Sequence, residues 1–257
     1  MRKFFRWFSL TTLAIVLVGP FLVPVNTSGN RSKETAAAEL WGDESAGLDV
    51  GDLEIHFVQA GDPQSGRLIL LLHGFGASAW SFKENLSELS KSGHVVAFDR
   101  PAFGFSSRPE VWDGVNPYGF EHQLAIIDAF IDEFGAGKEV FLLGHSQGGS
   151  IAASYAEAYQ ERLSGLVLFA PAVLSGGGVP SGLAWLLEVP QINRLGPLLV
   201  ASIASSGLEI LYTSYVDQSK ITHATLAAYT QPLKISGWGT RSGNSPRHRE
   251  TPRWRPA

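Results

Sequence analysis

The sequence predicts an α/β fold, a mostly parallel sheet with helices on both faces, and three observations carry the prediction. Leu68–Leu72, Val95–Phe98, Val140–Leu143 and Leu166–Phe169 are continuous apolar runs of four or five residues. They are too short for helices and do not alternate, as expected of strands covered on both faces. The segments between them have helical spacing: Phe82, Leu86 and Leu89 share one face, as do Phe120, Leu124, Ile127, Ile131 and Phe134. Strand and helix then follow one another in turn, and right-handed crossovers of that kind build a parallel sheet. Before the first run, Leu53–Val58 alternates as a half-buried antiparallel strand does.

Composition divides the 257 residues further. Arg2, Lys3 and Arg6 precede an apolar stretch from Trp7 to Val25. Positive charge ahead of such a stretch is the pattern of an export signal or membrane anchor, expected here over residues 1–30, with Ala36-Ala37-Ala38 as a possible cleavage site. Residues 31–48 read as a polar linker and 49–175 as the α/β core. After Ser175-Gly176-Gly177-Gly178 comes a Leu- and Ala-rich helical region, 176–235, placed to cap the sheet. Residues 236–257 are rich in arginine and proline, lack either period, and read as a disordered tail.

Charge and cysteine content remove several function classes. There is no cysteine, so disulfides, thiolate metal sites and a cysteine nucleophile are excluded. Five basic residues lie in 1–33 and five arginines in 241–257, which leaves ten basic against 23 acidic side chains between them. A body so acidic repels nucleic acid, whose binding rests on phosphate neutralisation.

The chemistry concentrates in two glycine-rich turns. Gly144-His145-Ser146-Gln147-Gly148 directly follows one buried strand and precedes a helix carrying Ile151, Tyr155 and Tyr159. A sharp strand-to-helix turn there lifts the Ser146 hydroxyl above the sheet as a nucleophile, and the flanking glycines permit close backbone approach. His73-Gly74-Phe75-Gly76 follows another buried strand. The backbone N–H groups of Phe75 and Gln147 are the natural oxyanion donors. His73 and His145 lie near enough to be considered as general bases, but each is held inside a tight turn and is read as structural.

These segments, with Asp99-Arg100-Pro101-Ala102-Phe103-Gly104-Phe105-Ser106 between them, resemble the α/β-hydrolase superfamily in order and spacing. The resemblance covers residues 50–175 well, and 176–235 resembles the helical cap of that family. It implies a structural role for Asp99 and no cofactor. A serine rather than an aspartate at the elbow implies an acyl-enzyme on a small ester or related acyl substrate, most like esterases and lipases. The family's acid follows the seventh or sixth strand and its histidine the eighth. Here neither Asp217, His223 nor His248 follows an apolar strand. The expectation is therefore a fold two strands short, with an exposed sheet edge, a missing triad acid and base, impaired activity, and a frame shift near Ser236–Gly237. The alternative reading is a non-catalytic, membrane-tethered binding module on the same fold.

Overall fold

The computed structural model describes residues 12, 16–22, 29–109, 112, 114–173, 189 and 207–235. Its centre is a six-stranded sheet of β1 (Ser45–Val50), β2 (Leu53–Ala60), β3 (Arg67–Leu72), β4 (His94–Phe98), β5 (Glu139–His145) and β6 (Gly165–Phe169), in the order β1-β2-β4-β3-β5-β6. β4, β3, β5 and β6 run parallel, while β2 pairs antiparallel with both β1 and β4. The crossovers contain α2 (Lys83–Leu89), α3 (Phe120–Phe134) and α4 (Gln147–Ala158).

The continuous apolar run in β3 is explained by the two layers it serves. Leu68, Leu70 and Leu72 face Ile126, Ile127 and Phe130 of α3 and Ile151, Ala152 and Tyr155 of α4. Ile69 and Leu71 face the other layer, with Phe82 and Leu86. Phe98 stacks on Phe130 at 4.6 Å between centroids, joining β4 to α3. Each strand residue is thus buried whichever way it points, which is what abolishes alternation.

Residues 31–48 are not a linker. Lys33–Trp41 forms α1 and the chain then enters β1. The Ser32 hydroxyl accepts from the Thr35 N–H at 3.2 Å and caps the helix start. Ala36 and Ala37 are buried and Trp41 meets Trp80 edge-on at 4.9 Å, so α1 belongs to the same layer as α2. Alanine makes a thin apolar face that hydropathy barely registers, which is why the stretch reads as polar. Cleavage after Ala38 would remove the half of α1 that carries Ala36 and Ala37.

Most of the expected N-terminal signal or anchor lies outside the described residues. Within it, 16–22 is helical, with Val16, Leu17, Val18, Phe21 and Leu22 about half exposed or more. No helix among the described residues is long and apolar enough to cross a membrane.

Of the expected cap, 176–188 and 190–206 lie outside the described residues. Residues 207–214 are helical, and α5 (His223–Thr230) leads to Ile235, which is buried beside α1 and bridges Arg31. The tail from residue 236 also lies outside. Among the described residues nothing pairs with the outer edge of β6. Its Leu166, Val167, Leu168 and Phe169 are 37–54% exposed although apolar.

Candidate active site

β5 ends on His145 and α4 begins on Gln147, so Ser146 alone makes the turn between strand and helix. It does so at φ 52°, in the left-handed region that costs a non-glycine residue about 1–2 kcal/mol. The turn is held from several sides. The Ser146 N–H donates to Phe169 O at 3.0 Å, and its carbonyl accepts from the N–H groups of Gly149 and Ala172, each at 3.0 Å. Gly148 must lack a side chain, because a Cβ there would collide with the carbonyl oxygens of Leu72 and His73 at the end of β3. A Cβ on Gly144 would meet Gly148 O at 2.5 Å.

The turn after β3 lies against the elbow. A Cβ on Gly74 would be 3.1 Å from Ser146 Cβ and 3.3 Å from His145 Nδ1. Phe75 is 54% exposed and Gly76 turns the chain at φ 69°. Among the described residues neither the Phe75 N–H nor the Gln147 N–H reaches a protein acceptor. Two unspent donors therefore flank a strained, half-buried serine.

His73 is fully buried and its ring is committed on both sides. Nε2 accepts the Arg100 N–H at 3.0 Å, which fixes the proton on Nδ1, and Nδ1 donates to Gly74 O at 2.7 Å. Burial first, and the Arg100 charge second, hold its pKa down at about 3, so it is neutral and has no lone pair for Ser146. His145 is exposed beside the serine. No histidine among the described residues hydrogen-bonds the Ser146 hydroxyl. Asp217 accepts from Ser219 within its own turn, His223 opens α5, and His248 lies outside the described residues.

Asp99 organises the loop after β4. Its Oδ1 accepts from the Ala79 N–H at 2.6 Å, and its Oδ2 from the Phe105 N–H and from His56 Nδ1, each at 2.8 Å. With the His56 proton on Nδ1, Nε2 accepts from the Ser45 hydroxyl at 3.1 Å. This chain has the connectivity of a catalytic triad, but it contains no elbow residue and ties β1, β2 and the loop together. Gly104, at φ 47°, has no room for a Cβ beside the Asp99 carboxylate. His56 and Ser45 lie 43 and 54 residues from Asp99, and no local pattern announced them.

Arg100 was also not singled out from sequence. It is 1% exposed and stacks on the Phe103 ring at 4.9 Å. Its Nη2 donates both to Gly74 O at 3.1 Å and to Gln147 Oε1 at 2.9 Å. Burial lowers its pKa to about 9, which leaves it charged at neutral pH. A fully buried arginine is rare, but its burial is decided by the fold and has no local sequence pattern.

The model of the alpha/beta hydrolase fold family matches residues 67–248, from β3 past the end of the described chain. This chain belongs to the α/β-hydrolase family. Its relatives within that family differ in named activity. Epoxide hydrolase B of Mycobacterium tuberculosis is 32% identical over 122 residues, covering 47% of this chain and 33% of that protein. Monoacylglycerol lipase abhd6-A of Xenopus laevis is 30% identical over 125 residues, covering 48% and 36%. A solved membrane phospholipase A, described as a bacterial virulence factor, superposes with a TM-score of 0.58 at 22% identity, over 98% of this chain and 77% of that one. The chain spans about a third of the length of the first two. As an α/β hydrolase it shares a hydrolytic fold with them, and the choice of reaction rests on its own site.

Proposed function

We propose that this α/β hydrolase is a serine hydrolase acting through an acyl-enzyme on carboxylic esters or related acyl substrates. The observation that carries the reading is a serine at the strained elbow with two unspent N–H donors beside it. An aspartate at that position would form an alkyl ester with an epoxide or haloalkane. A serine instead attacks an acyl carbon, and the oxygen that becomes negative then lies where the Phe75 and Gln147 N–H groups can hold it. The name of the monoacylglycerol lipase relative agrees with an ester substrate, and no cofactor is required for such a hydrolysis. Among the described residues no imidazole hydrogen-bonds Ser146, so what they supply to the reaction is the nucleophile and the oxyanion donors.

A fluorophosphonate probe tests the reading. The folded chain is expected to be labelled at Ser146, and Ser146→Ala to remain unlabelled. A folded wild-type chain that never takes up the probe would instead favour a binding module on the same fold.

The exposed apolar side chains of 16–22, together with the basic residues before them, support membrane association through the N-terminus. Expressed in cells, the full chain is expected in the membrane pellet after carbonate washing, and a chain lacking residues 2–28 in the supernatant. Equal partitioning of the two would remove this reading.

A further inference from the structure

We propose that Arg100 is the positioning residue of the oxyanion hole, setting the direction and spacing of its two N–H donors; the inference rests on Ser146 being the nucleophile. The Gly74 carbonyl and the Phe75 N–H are opposite ends of one planar trans peptide. Arg100 Nη2 and His73 Nδ1 both hold the carbonyl end, at 3.1 and 2.7 Å, so the N–H end is fixed in the opposite direction. A cationic donor on the carbonyl also polarises the peptide and strengthens its N–H as a donor. The same Nη2 holds the Gln147 side chain at 2.9 Å, and the Gln147 N–H is the second donor. One guanidinium nitrogen thus joins the two loops from which the donors come.

The charge itself points to the reaction. Among the described residues no carboxylate bonds Arg100, and its Nε has no hydrogen-bond partner. A buried cation with no carboxylate bonded to it is costly, and structural arginines are normally paired. An anion that exists only while the substrate is tetrahedral would add a negative charge near the guanidinium at the moment of reaction. Phe103, stacked on the guanidinium and in edge contact with the rings of Phe75 and His73 at 5.5 and 5.6 Å, holds that arrangement dry.

The test measures acylation of Ser146 by p-nitrophenyl butyrate and by its thionoester, whose sulfur is too large and too weak an acceptor for two close N–H donors. Wild type is expected to prefer the oxygen ester strongly. Arg100→Met is expected to acylate about tenfold to a hundredfold more slowly with the oxygen ester, at unchanged KM, and to lose much of that preference. Arg100→Lys should fall between the two. Gln147→Leu removes one anchor, keeps the N–H, and is expected to shift the preference in the same direction if Arg100→Met does not fold. Equal loss on both esters, or wild-type rates in folded Arg100→Met and Gln147→Leu, would overturn the positioning role. No acylation of wild type, with no fluorophosphonate uptake, would instead overturn the Ser146 reading and this inference with it.

Discussion

Asp99→Ala is expected to destabilise the fold by about 3–5 kcal/mol, the range for removing one partner of a buried pair. The carboxylate is fully buried and accepts from three donors, the Ala79 and Phe105 N–H groups and His56 Nδ1. Deleting it leaves all three without a partner, at about 1–3 kcal/mol for each orphaned group before relaxation. It also releases the hold on the loop that carries Arg100. Asp99→Asn keeps the shape but must turn its NH2 group toward at least one donor, so it should lie between wild type and alanine. Urea unfolding at pH 7 measures both, and a loss under about 1 kcal/mol for Asp99→Ala would show that the network is dispensable. Burial alone would raise the pKa of Asp99, but His56, His73 and the Ala79 N–H together bring it below the ordinary value. Its stabilisation is therefore present above the unfolded-state value of about 3.9 and is lost as pH falls below it.

A second acid effect is expected at higher pH, from His73. Its folded-state pKa is about 3 against 6.5 unfolded, so between those values the unfolded chain binds a proton that the native chain refuses. Stability is then full above about pH 6.5, falls as pH drops through that interval, and levels off below about 3. The whole shift corresponds to about 5 kcal/mol. His94 and His122 are also lowered by burial and act in the same direction. The midpoint of urea unfolding should therefore drop between pH 7 and pH 5, before any carboxylate titrates. His73→Asn is expected to be less stable at pH 8, having lost ring contacts, but to show a flatter slope over the same range. An unchanged slope would mean that the native state accommodates a charged His73.

The parts of this protein that were legible in its sequence are those dictated by neighbours in the chain. β3, β4 and β5 announced themselves because a strand covered on both faces has no polar position to spare; β6 did so by the same kind of apolar run, although its Leu166–Phe169 side chains are 37–54% exposed among the described residues. The elbow did so because a serine between glycines, directly after such a strand, has one way to turn. α1 escaped notice because alanines at 36 and 37 are buried through the closeness of the helix rather than the size of the side chain. β1 escaped with it, since its residues are only half buried at the sheet edge.

What the tertiary structure decided is how polar groups distant in sequence are paired. Ser45, His56 and Asp99 come from a strand, its antiparallel partner and a loop, and Arg100 reaches Gly74 and Gln147, 26 and 47 residues away. Apolar burial is non-directional and depends on local pattern, so it can be read from periodicity. A buried hydrogen bond requires donor and acceptor at one distance and angle, and only the assembled sheet brings those atoms together. The fold and the place of Ser146 at the elbow were therefore readable from sequence alone. The fates of His73, Asp99 and Arg100 were settled when β3, β4 and β5 came to lie side by side.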